Sequence, residues 1–383
     1  MHFDSAGSAL PPEPVLSALT RHLALEAKVG GYRAESDAAE TIEQTYRSIA
    51  TLIGCQSGEV ALVENATRAW DMVFYAFARR LTAGDRILTS VSEYASNYIA
   101  YLQVARASGV SIEVIPNDER GALSVSAAAT MLDAHVKLIS ITHVPTNGGL
   151  VNPACELGRL ARSAGIPYLI DACQSVGQLP VDVDAIGCDF LSATGRKYLR
   201  GPRGTGFLYV RQSWIPELEP IFLDLHAATW TGPDSYEIRP DARRFENWES
   251  YVAGRVGLGA AADYALALGV DRIAERVRFL AARMRNGLRA IPGVQVRDLG
   301  LPGTQCGIVS FTCESFDSRD VQLRLQALGI CVSASRASST RLDMTGRGLT
   351  GLVRASVHCY NNEEEIDAFC ATVGHIVTAG GPR

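Results

Sequence analysis

No apolar run in the sequence is long enough to span a membrane. The most hydrophobic stretches, such as 136–144, are broken by polar residues well short of the ~20 that a span needs. The opening segment MHFDSAGSALPPEP has neither a basic n-region nor an apolar h-region, so no secretory signal is expected. Basic residues form no stripe: 36 Lys and Arg are mixed along the chain with 41 Asp and Glu, for a net charge of −5. That mixture argues against a nucleic-acid partner, and the lack of an acidic tail argues against a cationic one. The nine cysteines are odd in number and include no C-x-x-C pair, and several lie in apolar runs where Cys packs as a small hydrophobe. A reduced, cytoplasmic protein is expected rather than a disulfide scaffold. The seven histidines lack ligand spacing, so no zinc site is expected. Internal repeats and low-complexity tracts are also missing.

What is present is material for a large core. The 383 residues are 47% hydrophobic and 20% charged, enough for two or three domains or one large domain with a satellite. A helix is expected at about 41–53, closed by Gly54. Short apolar runs then alternate with amphipathic stretches. Strands are predicted at 60–63, 85–90, 111–116, 138–143, 168–171, 190–193 and 206–210, with helices at 68–81, 94–108, 124–134 and 153–164 between them. Strands separated by helices of 10–15 residues imply βαβ units and a mostly parallel sheet buried on both faces. Beyond 211 the alternation stops. A Pro- and Trp-rich excursion at 214–244 is followed by a long helical connector at 252–291. A small α/β unit comes last, with strands near 294–296, 308–312, 330–333 and 352–358 and a final helix from about 362.

The segment 346–351 matches G-x-G-x-x-G letter for letter. It follows polar residues and precedes a strand, whereas a dinucleotide fingerprint follows a strand and opens a helix, so a surface loop is expected. Three other segments carry chemistry. Asn65-Ala-Thr-Arg-Ala-Trp70 follows a strand and opens a helix, as an anion-binding N-terminus does, although an ordinary N-cap by Asn65 or Thr67 reads the same way. Asp171 ends an apolar strand, where open α/β sheets bind ligands, although an N-cap is again the plainer alternative. Lys197 lies between a buried strand and a Gly/Pro-rich turn, among Arg196, Arg200 and Arg203. Neighbouring cations and partial burial lower a lysine pKa and make the amine nucleophilic. A strand-end Asp, a Lys 26 residues later before a Gly-Pro-x-Gly turn, and a Thr-bearing anion loop upstream together meet the needs of pyridoxal phosphate.

On these motifs the chain resembles the class V aminotransferase and cysteine desulfurase group of fold-type I pyridoxal phosphate enzymes, over nearly its whole length. The resemblance implies an α/β fold with a mostly parallel sheet, helices on both faces and a small C-terminal α/β domain. An N-terminal arm and large cofactor-binding domain would cover 1–255, and the connector and small domain 256–383. It implies pyridoxal 5'-phosphate as cofactor, a small amino-acid substrate and a homodimer. Ala66 and Thr67 fall on the phosphate loop, and Tyr94 falls where the family stacks a ring on the cofactor. Thr146 falls near the phenolic oxygen, Asp171 on the pyridine-nitrogen partner, and Gln174 on the phenolic-oxygen donor. Thr194 matches a phosphate ligand, Lys197 the Schiff-base lysine and Arg354 the substrate-carboxylate arginine. Arg196 stands where desulfurases have His and would supply a second phosphate contact. Tyr32, in Val-Gly-Gly-Tyr, is a further substrate-binding candidate.

A desulfurase carries a nucleophilic Cys on a mobile loop, and the corresponding loop here, 333–339, has no thiol. Cys331 lies in strand-like Gly-Ile-Cys-Val and is expected to be packed in the core, with no cysteine needed for catalysis. The expectation is therefore β-elimination at the C–S bond of a cysteine S-conjugate, as in hercynylcysteine sulfoxide lyase-like and lincosamide-pathway-like enzymes of small-thiol or antibiotic biosynthesis. The alternatives are decarboxylation-coupled oxidative deamination, transamination, or epimerisation as in isopenicillin N epimerase-like proteins. A cofactor-binding regulator would need a DNA-binding module, for which the chain has no spare length.

Overall fold

In the computed structural model, which describes residues 1–378, the alternating region folds into one seven-stranded sheet. Its strands are β1 (Val60–Val63), β2 (Arg86–Ser90), β3 (Ser111–Ile115), β4 (Val136–Thr142), β5 (Tyr168–Asp171), β6 (Phe190–Thr194) and β7 (Gly206–Val210). The spatial order is β1-β7-β6-β5-β4-β2-β3. Strands β3 to β6 are parallel along the sheet, and β7 runs antiparallel to both β6 and β1. Successive residues of a strand point to opposite faces. Val60 and Leu62 accordingly join one core cluster, and Ala61 and Val63 the other. The helices Ala66–Ala78 and Ala95–Ser108 cover the second face, and helices Ala39–Ile53, Ala154–Ala164 and Val252–Leu268 pack on the first. The α/β expectation holds, with helices on both faces.

The excursion contains a two-stranded hairpin, β8 (Ala228–Gly232) with β9 (Ser235–Ile238). The connector is helical as expected and consists of two helices, Val252–Leu268 and Val270–Arg289. Gly269 separates them: its φ of 84° lies in the left-handed region, where glycine is at ease, and its N–H closes the first helix on Ala265 O. The small sheet has the order β10-β11-β13-β12, antiparallel throughout, from β10 (Val294–Val296), β11 (Ile308–Cys313), β12 (Ser333–Arg336) and β13 (Gly351–Ser356). The segment 346–351 is the turn between the helix Arg341–Gly346 and β13, a loop as expected.

The strand expected at 330–333 starts only at Ser333, and Cys331 is exposed rather than packed in the core. The run Gly-Ile-Cys-Val reads as buried because Ile330 and Val332 are. Cys331 between them sits on the sheet's rim, where its backbone pairs with the N-terminal arm. That arm stitches the two sheets together. Phe3 N donates to Cys331 O and Ser356 N to Phe3 O on the small-sheet side, while Ala9 N donates to Arg196 O on the large-sheet side. Among the described residues no helix is long and apolar enough to cross a membrane.

Candidate active site

Residues that end the central strands converge at one edge of the large sheet. Thr142 ends β4, Asp171 ends β5 and Thr194 ends β6, the edge at which open α/β sheets hold ligands. Between this edge, the N-terminal arm and β13 lies a cavity of about 330 Å³, lined by Tyr94, Thr146, Arg196, Lys197 and Arg354, and by residues 6–8 of the arm.

Lys197 follows β6 through a tight turn. Arg200 N donates to Lys197 O and Gly201 N to Gly195 O, and Arg200 takes a left-handed φ of 63°, uncommon for a residue with a side chain. Two contacts hold that conformation: Arg200 Nε donates to Leu10 O, and its guanidinium lies over the Tyr360 ring. Burial lowers the Lys197 pKa below the ordinary lysine value. The Arg196 and Arg354 charges add to this, and Asp171 and Cys173 oppose it. The result is an amine with a larger neutral fraction, as a nucleophile or base requires.

Asp171 is buried, and both its carboxyl oxygens are engaged. Oδ1 accepts from Cys173 N at 2.9 Å and Oδ2 from Asn97 Nδ2 at 3.0 Å. Arg354, on β13, donates to Thr146 Oγ1 at 2.7 Å, and to Asp4 Oδ1 and Ser333 Oγ at 3.3 Å each. Its Nε is buried without a partner. Gln174 donates through Nε2 to Ala6 O at 3.1 Å, and its Oε1 is likewise buried and unpaired. Arg196 donates to Gly7 O, so it braces the arm as well as lining the cavity.

The anion-loop residues stand together. Asn65 caps the helix Ala66–Ala78 by accepting from Arg68 N, which leaves the N–H groups of Ala66 and Thr67 unused by the cap. The plain N-cap reading of this segment is what the structure shows. Gly206, paired with Thr194, sits against this helix start: a Cβ there would lie 2.6 Å from Ala193 O and 2.9 Å from Asn65 C. Only glycine lets β7 approach so closely. Tyr32 is not brought to the Lys197 cavity by this chain. It is 77% exposed and lines a separate hollow with Trp248 and Tyr251.

Two residues escape a motif reading. Glu93 and Asn97 flank Tyr94 in Ser-Glu-Tyr-Ala-Ser-Asn, and both are buried beside Asp171. Their signal is the i, i+4 spacing at a helix start, which places them on one face.

Fold and cavity define an α/β enzyme built around a desolvated lysine. The chain belongs to the class-V aminotransferase family, whose model matches residues 1–369. It is 31% identical to a protein of Methanothermobacter thermautotrophicus named "Probable cysteine desulfurase", over 99% of this chain and 95% of the relative. It is also 31% identical to a cysteine desulfurase of Salmonella gallinarum, over 98% and 93%. The apo cysteine desulfurase of Thermococcus onnurineus superposes with a TM-score of 0.93 at 28% identity, over 99% and 95% of the two chains. A further structure shares the fold (TM-score 0.86, 22% identity, 97% and 96% covered) and holds glycine covalently linked to its PLP cofactor.

Pyridoxal phosphate, the cofactor expected from the sequence, is the cofactor of this family. The residues present fit it: a desolvated lysine, unpaired N–H groups at a helix start, and buried polar atoms of Arg354 and Gln174 with no partner in the protein.

The relatives overturn the expected reaction. The missing thiol in loop 333–339 argues against a desulfurase, yet the named relatives are desulfurases. The cysteine-conjugate and antibiotic-pathway assignments, and the closest-subgroup resemblance behind them, find no support among them. The physical reason is that a loop thiol decides where the sulfur goes. Its absence therefore does not exclude the reaction for which the relatives are named.

Proposed function

We propose that the chain is a pyridoxal-phosphate-dependent enzyme that removes sulfur from L-cysteine, leaving alanine. The observation that carries this is the desolvated Lys197 facing Arg354 across one cavity, in a chain whose relatives are named cysteine desulfurases. Bound pyridoxal phosphate supplies a sink for the electron pair left at the substrate Cα.

The chain's residues do the rest. Lys197 would hold the cofactor, and its Nζ would serve as the general base for the substrate Cα proton. Arg354 holds the substrate carboxylate through its free Nε edge, with Thr146 fixing the guanidinium from the other side. Asp171 would pair with the ring nitrogen, Ala66, Thr67 and Thr194 would hold the phosphate, and Tyr94 would cover the ring. The sulfur atom passes to a thiol R–SH, giving R–S–SH and alanine. With no thiol on the loop, that acceptor comes from solution.

The test is L-cysteine with dithiothreitol, scoring alanine and sulfide. Equal yields of the two support the reading; pyruvate and ammonia in place of alanine, or no turnover, overturn it. The Cys331→Ser variant should retain at least half the alanine rate. Loss of turnover in that variant would make the exposed Cys331 the acceptor instead.

A second copy of the chain is proposed to cover the hollow at Tyr32, Trp248 and Tyr251, whose exposed rings have the composition of an interface core. Sedimentation should give a dimer, and an active monomer would remove this proposal.

A further inference from the structure

Glu93 holds a carboxyl group shut away from solvent that the chemistry above does not use. Its Oε1 accepts from Tyr94 N at 2.9 Å, from Thr142 Oγ1, and from Asn97 Nδ2 at 2.9 Å. Its Oε2 accepts from Thr142 N at 3.0 Å and Thr89 Oγ1 at 3.2 Å. A buried carboxyl persists only where such donors replace water. The same Asn97 nitrogen also donates to Asp171 Oδ2 at 3.0 Å. One amide group thus spans two carboxyl groups, one from the start of the helix Ala95–Ser108 and one from the end of β5.

The amide has a single workable orientation. Turned over, Asn97 would present its oxygen to both Glu93 and Asp171, and acceptor would face acceptor. Glu93, pinned by β4 and its own helix start, therefore decides that Asn97 donates toward Asp171. With Cys173 N on Oδ1, this donor stops the Asp171 carboxylate from rotating about its last bond. Burial raises the Glu93 pKa to about 7; the nearby Asp171 charge adds to this, and the hydrogen bonds from Thr142, Asn97 and Tyr94 oppose it.

We propose that Asn97 is a positioning residue for Asp171, with Glu93 as the anchor that fixes which way the Asn97 amide points. The proposal rests on the reading of Asp171 as the partner of the cofactor's ring nitrogen. It predicts that Asn97 affects the cofactor only through Asp171.

The test is a double-mutant cycle of Asn97→Ala and Asp171→Asn, read by the dissociation constant for pyridoxal phosphate added to apoprotein and by the visible absorption of the bound cofactor. Asn97→Ala should weaken binding about tenfold, the effect of one lost hydrogen bond to a charged group. It should also move the absorption in the same sense as Asp171→Asn. In the Asp171→Asn background it should change affinity by less than about twofold. A full effect in both backgrounds would make Asn97 merely structural and overturn the inference, as would wild-type readouts for Asn97→Ala while Asp171→Asn moves them. If Asp171→Asn itself moves neither readout, the Asp171 reading falls first and the inference falls with it. Should Asn97→Ala fail to fold, Asn97→Ser and Glu93→Gln carry the same cycle, Glu93→Gln with a smaller shift in the same direction.

Discussion

Lys197→Ala is expected to abolish turnover of L-cysteine, with a loss on the order of 10⁴-fold or more, because the substitution removes both the covalent anchor and the general base. Lys197→Arg should fail as completely. A guanidinium keeps the positive charge but stays protonated, so it can neither form the covalent link nor take a proton. Lys197→Ala should stay folded, because burial and the Arg196 and Arg354 charges oppose the charge it removes. The direct check is borohydride reduction of the yellow holoenzyme followed by peptide mapping. The chain has three lysines, Lys28, Lys137 and Lys197, so the labelled peptide is unambiguous. Lys137 donates to Ala134 O at the surface, and Lys28 is exposed near the end of its helix. A pyridoxyl group on either would overturn the assignment, whatever the activity of the variants.

Asp171→Asn should lower kcat/KM about a hundredfold or more while leaving a folded, cofactor-binding protein. A carboxylate facing a protonated ring nitrogen makes a charge-assisted bond in a dry site, and a neutral amide cannot replace it. The structure adds a second expected effect. Both Asp171 oxygens already accept hydrogen bonds, one from Cys173 N and one from Asn97 Nδ2. An asparagine at 171 must turn its NH₂ toward one of those donors. The variant should therefore also lose about 1–3 kcal/mol of stability, the cost of one buried donor left unmatched. Steady-state kinetics with L-cysteine and a denaturant titration measure the two effects separately. Activity within threefold of wild type would remove Asp171 from the mechanism.

How much of this was legible along the chain depends on the distance over which each feature is encoded. The strand Tyr168–Asp171 shows in its four letters, an apolar run ending in an acid, and the structure returns the same limits. The helix predicted from residue 68 starts at Ala66 because Asn65 caps it through Arg68 N, and apolar spacing alone does not register a cap. The connector at 252–291 reads as helical by composition, which does not show that the backbone of Gly269 divides it in two. Cys331 shows the opposite failure. Its neighbours Ile330 and Val332 are buried as their letters suggest, but strand pairing begins two residues later and leaves the thiol on the rim.

The mostly parallel α/β core, the position of Lys197 after a buried strand and the place of Asp171 at a strand end are all written locally along the chain. Each depends on hydrophobic period and turn chemistry within about a dozen residues, and those forces act locally. It takes the folded chain to bring Asn97 to Asp171 and Arg354 to Asp4 and Thr146, and to close the arm at 1–9 over the cavity against both sheets. These contacts join residues between 74 and 353 positions apart. They exist because parallel strands return the chain to the same sheet edge after each crossover, and because a second sheet docks there through the arm. No local pattern records which side chains meet at that edge.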